Sequence, residues 1–226
     1  MHAAFETYAF DGQTIDGPTA VEIDAVTAGA LKGALSWSSA VKTPAVPSIV
    51  TLSFSTTGRV PVGGKIRVVL PDDGWTVVGG VPSATFAGSL SAVKGTVTWH
   101  ASSRTVEITT AEAIIGHATA VVVKLDGFVS PPHVTPSGTA VLSTHVADGG
   151  IIDGPTATST DPITPGSLRG ALQWRSDRPT PGVTSDSRLS FTTAGGLGSG
   201  GIVNIALPRD GWHMDGAPTV TFEKPQ

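Results

Sequence analysis

The hexapeptide Ile15-Asp16-Gly17-Pro18-Thr19-Ala20 returns unchanged as Ile152-Asp153-Gly154-Pro155-Thr156-Ala157. The offset of 137 residues then holds without a gap over residues 15–79 and 152–216, where 32 of 65 aligned positions are identical. Such a match within one chain indicates an internal duplication, and a duplicated chain folds as repeated structural units. Asp-Gly-Pro is typical of a turn, so we expect the hexapeptide to form a corner after a leading strand in each copy.

Short apolar runs that alternate with polar residues predict β-strands in both copies. The clearest are Leu52-Ser53-Phe54 and Leu189-Ser190-Phe191, in which the apolar side chains face one way and the hydroxyl groups the other. Glycine- and proline-rich turns separate the runs, as in all-β proteins. The sequence therefore predicts an all-β fold of two tandem, related β-sandwich domains with pseudo-two-fold symmetry.

Residues 87–139 have no second copy. They predict a hairpin over 97–108, one helical turn over 110–115 and a strand over 120–125, followed by a proline-rich linker. The predicted domains are thus 1–139, with extra strands, and 140–226, which is shorter. Either the second sandwich is completed by strand exchange with a neighbouring molecule, or it is complete at its smaller size, or the sequence is part of a longer chain.

The composition excludes several classes of protein. Of the 226 residues, 14% are charged, the formal net charge is −4 and there is no cysteine. The charge gives no electrostatic footprint for nucleic acid. The absence of cysteine removes disulfides, thiolate zinc sites and cysteine nucleophiles. No apolar run approaches the roughly 20 residues of a membrane-spanning helix, so no membrane span is expected.

One glycine-rich stretch fits a dinucleotide-binding pattern. Gly196-Leu197-Gly198-Ser199-Gly200-Gly201 matches G-x-G-x-x-G, but that site needs a helix N-terminus after the loop. The apolar run 202–205 predicts a strand instead, so we interpret the stretch as a hairpin loop. No cofactor is expected.

The titratable residues assemble no catalytic or metal-binding motif. No pair among the six histidines has the i, i+4 spacing of a helical zinc site. Asp16, Asp72-Asp73 and Asp153 could be calcium ligands or catalytic carboxylates, but calcium takes six to eight oxygens from a dense loop. Aspartates beside glycine that accept backbone N–H bonds in turns are the preferred interpretation. The chain is therefore predicted not to be an enzyme, although a hydrolase with Asp73 and Asp210 as carboxylates is a third hypothesis.

Four of the five tryptophans occupy matched positions in the two copies. An exposed, coplanar set would suggest a sugar-binding face, whereas their place within apolar alternation favours core packing. The expected core residues of the repeat are Trp37, Phe54, Trp75, Trp174, Phe191 and Trp212. Trp99 has no counterpart and is the candidate for a contact surface.

The repeated strand and turn motifs resemble those of a known group of proteins. The first copy carries Leu52-Ser53-Phe54-Ser55-Thr56-Thr57-Gly58, Gly63-Gly64-Lys65-Ile66, Val69-Leu70-Pro71 and Gly74-Trp75; the second carries Leu189-Ser190-Phe191-Thr192-Thr193, Gly200-Gly201, Leu207-Pro208 and Gly211-Trp212. Together they resemble the β-rich repeats of stramenopile proteins, and the cysteine-free chain with two β regions is similar to the diatom pyrenoid shell (PyShell) family. Ile202 departs from the pattern where the first copy has Lys65.

The resemblance implies a chloroplast protein that self-assembles into a sheet around the Rubisco condensate, at the pyrenoid periphery in the stroma. From the residues and this resemblance together we expect a non-enzymatic structural protein. Its expected partners are other copies of itself and the surface of the Rubisco condensate. The alternative is a binding module, either a cell-surface adhesin or a carbohydrate-binding β-sandwich, with an extracellular or cell-surface location.

Overall fold

The computed structural model describes residues 1–209, 211–214 and 216–223. Strands make up 47% of the structure, and the described residues contain two 3-10 turns (Gly88–Leu90 and Ala101–Ser103) but no α-helix. The all-β prediction is confirmed. The strands are β1 (His2–Tyr8), β2 (Thr14–Glu22), β3 (Lys32–Ser39), β4 (Pro47–Ser55), β5 (Lys65–Val69), β6 (Thr76–Val77), β7 (Ser83–Phe86), β8 (Lys94–His100), β9 (Thr105–Ala111), β10 (Ala120–Val129), β11 (Thr139–His145), β12 (Ile151–Ser159), β13 (Arg169–Ser176) and β14 (Ser187–Thr192).

One antiparallel sheet of ten strands forms most of the fold. Its order is β12-β11-β5-β9-β8-β7-β10-β4-β3, with β6 beside β10. The two end strands approach each other through parallel bridges from Gly29 to Asp153 and from Trp37 to Thr160. The sheet therefore nearly closes into a barrel, and closure leaves little unpaired strand edge.

The interior is filled by alternate residues of the strands. In β4 the buried positions are Ser48, Val50, Leu52 and Phe54, and β9 and β10 follow the same period of two. Three aromatic rings meet edge to face: Trp37 lies 5.9 Å from Trp75 and 5.4 Å from Phe128, between ring centroids. Trp37, Phe54 and Trp75 of the expected repeat core are all buried in the first copy.

The segment without a second copy supplies three central strands of the large sheet. β8 and β9 form the hairpin predicted over 97–108, and β10 contains the strand predicted over 120–125. The helical turn predicted over 110–115 is wrong. Thr110 and Ala111 end β9, and Ile115 exchanges two backbone hydrogen bonds of 2.9 Å with Val60, so pairing with the neighbouring chain overrides the local helix propensity.

The second copy is divided between different parts of the structure. Its leading hairpin, β11–β12, belongs to the large sheet, whereas β13 and β14 pair only with each other. Trp174 and Phe191 are half-buried and Trp212 is 46% exposed. The three expected core residues of the second copy are thus less buried than their counterparts Trp37, Phe54 and Trp75 in the first copy.

The chain forms two compact units, residues 1–196 and 197–226. The described part of the second unit holds turns but no strand: Gly201 donates its N–H to the Gly198 carbonyl, and Gly211 to that of Arg209, both at 3.0 Å. The sequence-based limits of 1–139 and 140–226 follow the repeat. The strand pairing instead runs across that boundary, because β11 pairs with β5.

Phe128 anchors the aromatic cluster, so Phe128→Ala is expected to lower the free energy of unfolding by about 3–5 kcal/mol. Val122→Ala, at an exposed position of the same strand, is the matched control and should cost less than about 1 kcal/mol. Urea denaturation followed by tryptophan fluorescence measures both values. Equal losses in the two variants would contradict this account of the core.

Candidate assembly interface

The described residues contain no group of three or more His, Asp or Glu side chains able to hold a metal ion. Asp72 is exposed and forms an ion pair with Arg104, 3.5 Å between Oδ2 and Nη1. The glycine-rich turn at 198–201 leads into no helix in the described part of 197–223, and Asp210 lies outside the described residues. A buried cluster of hydrogen-bonded polar groups lies elsewhere, where the second copy contacts the first. We call this contact between the two copies the joint.

Asp153 lies at the centre of this joint. Its carboxylate is fully buried and accepts hydrogen bonds from the backbone N–H groups of Thr57 (3.1 Å) and Gly58 (2.9 Å) and from the hydroxyl of Thr144 (3.2 Å). Thr57 and Gly58 belong to the first copy, whereas Asp153 and Thr144 belong to the second. Hydrogen bonds to an ionised acceptor are stronger than neutral ones, so one carboxylate ties the two copies together.

Glycines bring the two backbones close enough for this contact. Gly29 donates its N–H to the Ile152 carbonyl at 2.8 Å, and Gly154 donates to the Gly29 carbonyl at 2.7 Å. A side chain at Gly29 would collide with the Asp153 carboxylate, and one at Gly58 would collide with Ile152. The first copy thus presents a glycine-lined cradle to Asp153 on β12.

Strand pairing and a buried apolar face extend the joint. β11 pairs antiparallel with β5, with Leu142 opposite Val68 and Thr144 opposite Ile66. All four side chains are fully buried. Burying apolar surface contributes about 25 cal/mol per Å², so this face adds an apolar component to the polar contact at Asp153.

A second carboxylate holds the end of the hairpin segment. Asp161 accepts hydrogen bonds from the Ser38 hydroxyl (2.7 Å) and the Ser39 N–H (3.0 Å) and forms an ion pair with Lys42 (3.1 Å). Burial acts to raise the pKa of Asp161, but the hydrogen bonds from Ser38, Lys42 and Ser39 outweigh it and leave the pKa below its usual value.

The N-terminal hairpin β1–β2 repeats the β11–β12 hairpin without its partner. Thr7 lies opposite Asp16, as Thr144 lies opposite Asp153, and the same irregularities in register recur on either side. Yet β2 is exposed along its whole length. The chain therefore shows one docked and one undocked copy of the same hairpin.

The hexapeptide that the sequence analysis placed at a corner lies inside β2 and β12, so that expectation is wrong. The corner is instead formed by the preceding Asp148-Gly149-Gly150, where Gly150 donates its N–H to Asp148 at 3.1 Å. Asp153 accepts backbone N–H bonds, as expected, but it does so from strand β12 and from residues 95 and 96 positions away. The interpretation of a local turn is therefore wrong for Asp153, and its burial between the two copies was not predicted. The feature of the sequence that pointed to a special role for these residues was the unchanged recurrence of the hexapeptide.

Trp99, the candidate contact residue, packs its ring edge to face with Phe128 at 6.1 Å between centroids and is half-buried. The inner part of its ring thus belongs to the core. A role for its outer edge in contacts with other molecules stays a prediction.

Comparisons with known proteins assign no family. No protein-family model and no curated protein matches the sequence. Among solved structures the chain is similar to BcpA, the major pilin subunit of Bacillus cereus, with 11% identity and a TM-score of 0.28 over 72% of this chain. The match covers 64% of the pilin chain. No described helix is long and apolar enough to cross a membrane.

Asp153→Ala removes the acceptor of two buried backbone N–H groups and is expected to cost about 2–4 kcal/mol of unfolding free energy. The matched control is Asp16→Ala, which changes the same residue of the same hexapeptide where it is exposed. Its expected cost, measured on the dilute protein by urea denaturation, is under about 0.5 kcal/mol. If both substitutions cost the same, the joint does not depend on the Asp153 carboxylate.

Asp161 also predicts a pH dependence. Because its pKa is lower in the folded than in the unfolded protein, its contribution to stability is present above the unfolded pKa and is lost as the pH falls through the folded one. Asp161→Asn should therefore flatten the acid limb of the unfolding free energy as the pH falls below the ordinary pKa of an aspartate. An unaltered slope in Asp161→Asn would contradict the assignment.

Proposed function

We propose that this chain is a non-enzymatic structural protein that self-assembles through completion of one β-sheet unit by strands of another. One observation carries the proposal: the leading hairpin of the second copy, β11–β12, completes the sheet of the first copy. A fold whose unit is finished by the next repeat is suited to extended assemblies, because the same joint can be used again between molecules.

The surface of the two small sheets supports the proposal. Large apolar side chains stand exposed on or next to β1–β2 and β13–β14, among them Phe5, Tyr8, Ile15 and Leu172. These apolar side chains are accessible for contacts with another molecule. Both two-stranded sheets also have free edges, because neither pairs with a further strand among the described residues.

The resemblance of the repeat motifs to pyrenoid shell proteins suggests what such an assembly would enclose. On that basis we extend the proposal to a sheet or shell around the Rubisco condensate of a diatom chloroplast, at the pyrenoid periphery. The support for this extension is the sequence resemblance alone. The alternative, an adhesin or carbohydrate-binding module at the cell surface, predicts binding on a glycan array where the structural function predicts none.

Self-assembly is tested on the purified chain by sedimentation velocity across a wide range of concentrations, with negative-stain electron microscopy of the concentrated sample. We expect species that grow in mass with concentration, and sheets or filaments on the grid. A single monomeric species at the highest concentration would overturn the proposal. Asp11→Asn, in the exposed turn of the N-terminal hairpin, serves as a control that should assemble like the original chain.

A further inference from the structure

We propose that the N-terminal hairpin β1–β2 of one molecule docks on the second copy of another molecule of the same chain. The hairpin β1–β2 would take the position on the second copy that β11–β12 takes on the first copy. Because the hairpin lies at the N-terminal end and its site in the C-terminal copy, molecules would join head to tail. This inference rests on the proposed self-assembly and specifies its joint. The occupant of the docking site is residues 1–26 of a second copy, and the template for the joint is present within the chain itself.

The free hairpin β1–β2, which we call the donor, has the same internal hydrogen bonds as the docked hairpin β11–β12. Thr7 donates its hydroxyl to Asp16 at 2.6 Å, and Asp16 donates its N–H back to the Thr7 hydroxyl at 3.2 Å. The docked hairpin has the same reciprocal pair between Thr144 and Asp153, at 3.2 and 3.1 Å. A preformed element loses little conformational entropy when it binds, so β1–β2 is suited to dock without refolding.

The exposed residues of the donor are the counterparts of residues that are buried in the joint. Phe5 is 62% exposed where its counterpart Leu142 is fully buried, and the exposed Asp16 corresponds to the buried Asp153. Val26 is fully exposed, whereas Ile163, at the same offset, lies in the core. The apolar face that the joint covers is therefore present in the free hairpin and is left uncovered.

The acceptor residues recur in the second copy at the same offset. Gly29 of the cradle corresponds to Gly166, and the two N–H donors of Thr57 and Gly58 correspond to Ala194 and Gly195. The replacement of Thr57 by alanine leaves the contact possible, because only the backbone N–H binds the carboxylate.

The close approach that forms the cradle is also repeated. An ideal Cβ built on Gly29 would lie 2.9 Å from that of Thr57, and one built on Gly166 would lie 2.5 Å from that of Ala194. Asp16 is therefore offered two backbone N–H groups in a cradle of the same construction.

The donor hairpin also carries the counterpart of the second carboxylate, and this residue would bind a different partner in the second copy. Asp24 is the counterpart of Asp161, and the position of Ser38 is taken by Arg175 at the end of β13. A guanidinium binds a carboxylate more strongly than a hydroxyl does. The loss of the Lys42 counterpart, where Pro179 stands, is thus offset by a charged partner.

Docking must displace a contact within the acceptor molecule. Gly196 donates its N–H to the Pro44 carbonyl at 3.1 Å, and the space beside Gly166 is occupied by Thr43 of the same chain. Displacement costs this backbone hydrogen bond and the close packing of Gly195 against Pro44 and of Gly196 against Ala45. Docking supplies the bonds of Asp16 to Ala194 and Gly195 and the pairing of Asp24 with Arg175. Because docking joins two molecules, a higher protein concentration shifts the equilibrium towards the joint.

The joint is tested by thiol cross-linking, since the chain has no cysteine of its own. Molecules carrying Asp24→Cys are mixed with molecules carrying Arg175→Cys and treated with a short bismaleimide, and the products are separated by mass. We expect a covalent dimer in the mixture and at most a trace in either variant alone. The intramolecular control is Ser38→Cys with Asp161→Cys, which replaces two side chains that are hydrogen-bonded to each other between the two copies of one molecule.

The double variant Asp24→Cys with Arg175→Cys distinguishes head-to-tail growth from closure within one molecule. A ladder of covalent multimers is expected. A cross-linked monomer that forms at all concentrations would overturn the inference, as would the absence of a product in the mixture.

Sedimentation provides the second measurement. Asp16→Asn should weaken association at least tenfold, whereas Asp11→Asn, whose counterpart Asp148 sits in an exposed turn of the docked hairpin, should leave it unchanged. If the chain assembles but Asp16→Asn assembles equally well, the inferred joint is wrong and the proposed function stands. If the original chain remains monomeric, the proposed function fails as well.

Discussion

The fold depends on one buried carboxylate. Asp153 has no positively charged side chain in its hydrogen-bonding shell; it is satisfied by two backbone N–H groups and one hydroxyl. An ionised group taken out of water is tolerated only when hydrogen bonds replace its hydration. The contact therefore forms only when the Thr57–Gly58 loop and the Thr144 strand are both in place. The carboxylate thus stabilises the correctly docked arrangement of the two copies specifically.

This constraint explains why the repeat in the sequence and the unit of the fold are out of phase. The copies align from residue 3 onward, yet the closed sheet runs from β3 to β12 and takes its last hairpin from the next copy. The fold unit of the first copy is thus finished by residues that the alignment assigns to the second copy. Cutting the chain at the repeat boundary would remove β11 from the sheet. One side of β5 would then be unpaired, so the sheet would be open.

Much of the fold could be predicted from the sequence, since it depends on local pattern. Period-two alternation identified β4 and β10, and the apolar pairs around His100 identified the β8–β9 hairpin. The interface could not be predicted in the same way. Asp16 and Asp153 stand in the same six residues, yet one is exposed and the other is buried. Local sequence cannot distinguish them, because burial is set by segments more than 90 residues away.

The position of β11–β12 at the far end of its sheet also governs when the fold can form. Ser38 and Asp161 make a hydrogen bond across 123 residues of sequence, and the Trp37 strand bridges to Thr160. Contacts of such separation slow folding, because the intervening loop must close before they form. During synthesis the sheet of β3 to β10 therefore keeps an unpaired edge until the residues up to about 163 have left the ribosome. Within the large sheet, the last hairpin to be translated, β11–β12, is the one that seals the first core from water.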